Sequence, residues 1–280
     1  MAVQTLDTQV VTSLVRAATA APSLHNAQPW RFRFLSDSAT FQVRAALDRC
    51  LPQADPHGRA LHLGCAAALF NLRVAAAHAA WLPVTRLLPD PYDPRLLATV
   101  RLEPPPPPAR AGAAEELAML TDLADLFPAI RQRRTSRQPF RDEPVPAEVR
   151  ELLVDAAERE GAHLRFPPPG EAWIILELSQ DAEGRDLANF TTSGTGQPAQ
   201  LALLGTSEDR PLDWLRAGQA LERLLLVATG HGLSAALTSH TPEWSEPHAP
   251  ERPQMVLRLG YAPPSPATAR RPVPLVLEID

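Results

Sequence analysis

The chain has 280 residues, 45% hydrophobic and 21% charged, with a net charge of −5 and a mean hydropathy of −0.16. That composition supplies enough apolar side chains for a buried core. No uninterrupted apolar run approaches the roughly 18 residues of a membrane span, and the acidic balance argues against a nucleic-acid partner.

In chain order, Leu6, Val10, Leu14 and Ala18 fall at helical spacing and predict a helix over 6–20. APSLHNAQPW (21–30) is a turn-rich segment, and the alternating Phe32 and Phe34 after it predict a strand. DPHGR (55–59) reads as a turn. Residues 60–82, rich in Ala and Leu, predict a long and largely buried helix. Strands are expected near 84–88 and 97–102. Five consecutive prolines, Pro104 to Pro108, permit neither helix nor sheet ladder, so 104–111 is the expected linker between a first half, 1–103, and a second, 112–280. Helices follow at 113–133, with a break near Pro128, and at 147–160. Residues 200–206 read as a buried strand. Residues 211–230 read as a strong helix, with Pro211 at its start and Gly230 and Gly232 at its end. Strands are expected at 254–260 and 272–279. EAWIILELSQ, within 170–200, reads equally as strand or helix. The mixture predicts an α+β fold.

All 27 basic side chains are arginine, because the sequence contains no lysine. Schiff-base chemistry and a Walker-type phosphate loop are thereby excluded. Any bound anion must be held by arginine, backbone N–H groups or helix N-termini. The two cysteines, Cys50 and Cys65, exclude a disulfide framework and point to a reducing cytoplasm. The first residues lack a basic cluster followed by an apolar stretch, so no secretory signal is expected.

Four segments carry candidate chemistry. In APSLHNAQPW, Ser23 and Asn26 offer polar groups on a bend that Pro22 stiffens, enough to contact the edge of a flat heteroaromatic ligand. The structural alternative is a helix end followed by a polar turn. In RQRRTSRQPF (131–140), Arg133, Arg134, Thr135 and Arg137 combine guanidinium forks with a hydroxyl, a phosphate grip. The alternative is a basic cap on a helix C-terminus. ATARRPVP (267–274) brings a second pair, Arg270 and Arg271. GHGLSAALTSHTPEW (230–244) offers small residues that let backbone approach a ligand, or else a plain loop between helix and strand. His57, His62 and Cys65 are near neighbours, but they match no standard zinc spacing, and no metal is expected. No G-x-S-x-G is completed around Ser234, which argues against a hydrolase. SGTGQPA (193–199) lacks the strand-to-helix setting of a dinucleotide fingerprint.

Taken in order, APSLHNAQPW, DPHGRALHLGCAAALFNLRVAA, RRTSR, WLRAGQALERLLLVATGHGLSAA and PQMVLRLGY…RRP resemble the nitroreductase superfamily, and within it the Acg-like branch of actinobacterial NAD(P)H nitroreductases. The resemblance implies a nitroreductase-like fold in which two related halves are fused in one chain, with antiparallel and mixed sheets flanked by helices. It implies one FMN at the seam of this pseudo-dimer, because the first half has the APS…QPW turn and the second has RRTSR and the final arginines. It also implies NADH or NADPH as electron donor, a small organic acceptor such as a nitroaromatic, quinone or enone, and no catalytic side chain, since the flavin carries the chemistry. A monomer is the expected form, with no nucleic acid and no membrane.

Carried over by position, the resemblance assigns the FMN phosphate to Arg133 and Arg270, with Arg271 beside them. Thr135 falls to phosphate or ribityl oxygens, and Arg137 to the ribityl chain and pyrimidine edge. Pro22, Ser23 and Asn26 fall at the isoalloxazine, and Leu237, Thr238 and Ser239 at the loop facing the flavin N5. The family often has an acidic residue and glycine where this chain has Ser239 and His240. Residues 165–199 are compressed relative to the branch, which usually carries a longer helical insert there. A rival reading is a protein that sequesters or stores FMN with little turnover.

Overall fold

The computed structural model describes residues 6–168, 170–172, 200–238 and 252–280. It divides into two compact units, Met1–Arg131 with Thr268–Asp280, and Gln132–Ala267. The division falls well beyond the proline run.

The first unit opens on α1 (Thr8–Ala18). The Asp7 side chain accepts from the backbone N–H of Gln9, and Val11, Leu14, Val15 and Ala18 turn inward. Strands β1 (Trp30–Leu35) and β2 (Thr40–Ala45) pair as an antiparallel hairpin. Trp30, Phe32 and Phe34 alternate into the core and lie opposite Ala45, Val43 and Phe41, the period-2 pattern of a sheet with one buried face. Helix α2 (Arg59–His78) starts on Asp55, whose two carboxylate oxygens accept from the N–H groups of Ala60 and Leu61, satisfying orphan donors at the positive end of the helix. By length and mean hydropathy α2 qualifies as a membrane span. However, 83% of its apolar window is buried among the protein's own residues, as expected of a core helix.

Strands β3 (Leu82–Leu87) and β4 (Leu96–Glu103) follow, then helices α3 (Ala113–Asp125) and α4 (Phe127–Gln132). The predicted helix 113–133 thus breaks at Leu126, just before Pro128, because proline is accommodated only in the first turn of a helix. The sheet order is β3-β4-β2-β1-β9, where β9 (Leu277–Ile279) is the chain's C-terminal strand, parallel to β1. The expected strand 272–279 is therefore shorter. Val273–Leu275 form a 3-10 turn before it.

The second unit contains α5 (Ala147–Glu158), β5 (His163–Arg165), β6 (Gln200–Thr206), α6 (Pro211–Gly230), β7 (Ser234–Thr238) and β8 (Arg252–Gly260). The sheet is antiparallel, in the order β5-β6-β8-β7. Three strands stand outside the sequence expectation: β2 in the first unit, and β5 and β7 here. Strand β7 occupies what read as a loop, since its Ser-Ala-Ala start carries little β signal. Strand β5 is too short for an alternation to show.

Among the described residues, α1-β1-β2-α2-β3-β4 of the first unit and α5-β5-β6-α6-β7-β8 of the second follow one order. In each, the strand after the long helix is a sheet edge paired to the strand that follows it; in the first unit β9 is added beyond β1. α2 and α6 both have 20 residues.

Candidate functional site

In the first unit, the turn after α1 holds three non-glycine residues in the left-handed region: His25 (φ 47°), Asn26 (φ 55°) and Gln28 (φ 54°). Such conformations cost of order 1 kcal/mol each and persist only where their surroundings hold them. Here side chains do so. Ser23 Oγ accepts from the Gln28 N–H at 2.9 Å, and Asn26 Nδ2 donates to the Ala269 carbonyl at 3.0 Å. Gln28 Oε1 accepts from the Arg271 N–H at 2.8 Å. Arg49 donates through Nη1 to the carbonyls of Gln28 and Trp30, at 2.9 and 3.1 Å. Burial, together with the nearby Arg271 charge, holds the Arg49 guanidinium below its usual pKa. The turn lies against α2 at Gly64, where a Cβ would come within 3.3 Å of Ser23 Cβ and 3.5 Å of Pro29 Cγ. Glycine thus lets the turn sit directly on the helix. Cys65, the next residue, donates its S–H to the Pro29 carbonyl, and burial pushes its thiol pKa upward. It packs as a small apolar residue.

The structure therefore brings Pro22, Ser23, Asn26, Arg270 and Arg271 together in one unit. Pro22 is buried, Ser23 and Asn26 are half-buried and Arg271 is exposed. Arg270 Nη1 reaches Asn26 Oδ1 at 3.1 Å, and its Nη2 reaches the carbonyls of Ala20 and Ala21, both at 3.1 Å.

In the second unit, the segment after α4 runs beside the edge strand β7. Thr135 forms a parallel bridge to Ala235, and the Ser136 N–H donates to the Ala235 carbonyl at 2.7 Å. This places Thr135 beside the strand that carries Leu237 and Thr238. Ser239 lies outside the described residues, as do His240 and the segment 193–199. Thr135 and Arg137 are exposed. Arg133 is only 5% exposed and stands 3.6 Å from Glu222 of α6, which is fully buried. Its Nη1 also lies 3.5 Å from Thr135 Oγ1. Arg134 lines a cavity of about 240 Å³ with Gln132, Thr229, Ser234 and Ser265.

Sequence reasoning passed over Arg49 and Glu222. Arg49 and Glu222 carry no local signal, because their partners are distant in sequence. Among the described residues, no group of histidine, cysteine and acidic side chains is arranged to hold a metal.

No family model matches the sequence. The chain is 31% identical, over 332 aligned positions, to the Mycobacterium tuberculosis H37Rv protein named "Putative NAD(P)H nitroreductase Rv3131", covering 97% of this chain and 92% of that one. It is 29% identical to "Putative NAD(P)H nitroreductase acg" of the same organism, covering 97% and 96%. The alignment with the first relative is longer than the 280 residues of this chain, so the relative has segments that this chain lacks. Its fold is that of a crystal structure of a "putative nitroreductase" from Anabaena variabilis ATCC 29413. The TM-score is 0.55 at 14% identity, covering 91% of this chain and 74% of that one.

Proposed function

Because the chain belongs to the nitroreductase family, we propose that it binds FMN and passes electrons from NADH or NADPH to a small organic acceptor, a nitroaromatic, quinone or enone. The observation that supports this best is the Arg-Thr-Ser-Arg segment fixed along the edge of β7 through Thr135, Ser136 and Ala235. It leaves a hydroxyl and a guanidinium, Thr135 and Arg137, exposed two residues apart in the chain. That donor set suits a phosphate monoester. Arg133, paired with the buried Glu222, reaches Thr135 Oγ1 and so supports that side chain.

The residues proposed to bear on the flavin are Arg133, Thr135, Arg137, Leu237, Thr238 and Ser239 in the sequence of the second unit, with Pro22, Ser23, Asn26 and Arg271 in the first. Bound flavin supplies the two-electron chemistry, so the chain needs no nucleophile or general base of its own. One FMN per chain, a monomeric pseudo-dimer and a reducing cytoplasm complete the reading. The two free cysteines are compatible with that compartment.

The test is the absorption spectrum and flavin content of the purified protein. Wild type is expected to be yellow, near one FMN per chain, and Arg137→Ala with Thr135→Ala to be folded and colourless. A mutant with wild-type FMN content would remove those residues from the site. Anaerobic mixing with NADH or NADPH then separates an oxidoreductase, whose flavin band bleaches rapidly, from an FMN-sequestering protein reduced only by dithionite.

A further inference from the structure

We propose that Arg270 is a positioning residue rather than a phosphate ligand: it clasps the C-terminal tail to the left-handed turn, so that the tail sets the turn's shape. The inference rests on the FMN reading above. Each terminal nitrogen of a guanidinium carries two protons. Those of Arg270 Nη2 face the carbonyls of Ala20 and Ala21, at 3.1 Å each. Those of Nη1 are shared among Thr268 Oγ1 at 2.5 Å, Asn26 Oδ1 at 3.1 Å and the tail's own Thr268 and Ala269 carbonyls at 3.2 and 3.3 Å. The two nitrogens with which arginine grips a phosphate are therefore engaged on protein oxygens. Two of these are carbonyls just beyond the C-terminus of α1, where positive charge is favoured.

Asn26 answers from the other side, donating to Ala269, and the Arg271 N–H closes the clasp on Gln28. Downstream, the tail is pinned by the Val276 carbonyl on the Phe32 N–H at 2.7 Å, by the parallel β1–β9 ladder, and by Ser36 Oγ on the Asp280 carbonyl. Asn26 and Gln28, both left-handed, are thus each tied to residues 269–271, more than 240 positions away in sequence. Strained backbone of this kind stays in place only while such partners hold it. Removing Arg270 should let it relax, and with it whatever face it presents to a flat ligand.

A phosphate ligand and a positioning residue are distinguished by comparing FMN with riboflavin, which lacks the phosphate. In the full-length protein, Arg270→Ala is expected to weaken FMN and riboflavin by the same factor, tenfold or more. It should also accelerate hydrogen exchange at amides 23–28 in the flavin-free protein. Asn26→Ala, approaching the clasp from the opposite partner, should reproduce both effects, whereas Arg137→Ala should leave exchange at amides 23–28 unchanged. Loss of FMN affinity with riboflavin unchanged in Arg270→Ala would overturn the proposal, as would unchanged exchange at 23–28. If wild type binds neither flavin, the FMN reading fails, and the exchange measurement still decides whether the clasp exists.

Discussion

Ala80 and Gly232 occupy the same turn in the two units. Each lies two residues past a 20-residue helix, each is left-handed (φ 60° and 75°), and each is followed by a residue whose N–H bonds back into the helix, Trp81 to Ala76 and Leu233 to Ala228, both at 2.9 Å. This is the helix-ending arrangement that glycine favours. One unit uses glycine, and the other forces alanine into a conformation that costs an L-residue roughly 1–2 kcal/mol.

Ala80→Gly is accordingly expected to stabilise the protein by about 0.5–1 kcal/mol, the relieved strain less the added freedom of the unfolded chain. Gly232→Ala, with open space around its Cβ position, should destabilise by about 1 kcal/mol through backbone strain alone. Urea denaturation of both variants measures the pair. Equal and negligible shifts would mean that the two turns carry no strain.

Arg133 and Glu222 form an ion pair almost wholly out of water. Removing one partner of such a pair leaves a buried charge and costs about 3–5 kcal/mol, whereas removing both for apolar groups is close to neutral. Glu222→Ala should therefore lower denaturation stability by about 3 kcal/mol, and the double variant Glu222→Leu with Arg133→Leu should recover most of it. A double variant no better than the single would show that the two residues act independently.

Burial lowers the pKa of His62, outweighing the opposing effect of its Nδ1 bond to the Gly58 carbonyl at 2.6 Å. The folded protein therefore takes up this proton at lower pH than the unfolded chain does. The stabilising difference is fully present above the ordinary histidine value of about 6.5 and is lost as pH falls below it. Unfolding free energy is expected to fall as pH drops from 7 through the ordinary histidine range toward the lower folded value. His62→Gln should flatten that slope. An unchanged slope in the variant would assign it to other groups.

Much of the fold is readable in order along the chain. The Phe32/Phe34 alternation, the breaker-free apolar stretch of α2 and the Pro211-to-Gly230 frame of α6 are local signals, because their period and caps lie within the element. β2 was not predicted although Phe41, Val43 and Ala45 alternate inward; β5 and β7 were not readable, since a three-residue strand has no period and a Ser-Ala-Ala start has little β preference of its own. They are strands because β6 and β8 offer them hydrogen-bonding edges. The two candidate segments were visible as motifs, yet the roles within them were not. Arg270 and Arg133 look alike in sequence, two arginines each beside another.

By itself, then, the sequence determined the α+β order of elements, the absence of lysine chemistry and the resemblance to nitroreductases, all of which reside in residue identity and short-range spacing. Only the tertiary structure decided that the last thirteen residues return to β1, that Arg270 meets Asn26 and the end of α1, and that Arg133 is buried on Glu222. Those contacts join positions far apart in the chain, and their energetics depend on burial and geometry that exist only once the chain has folded.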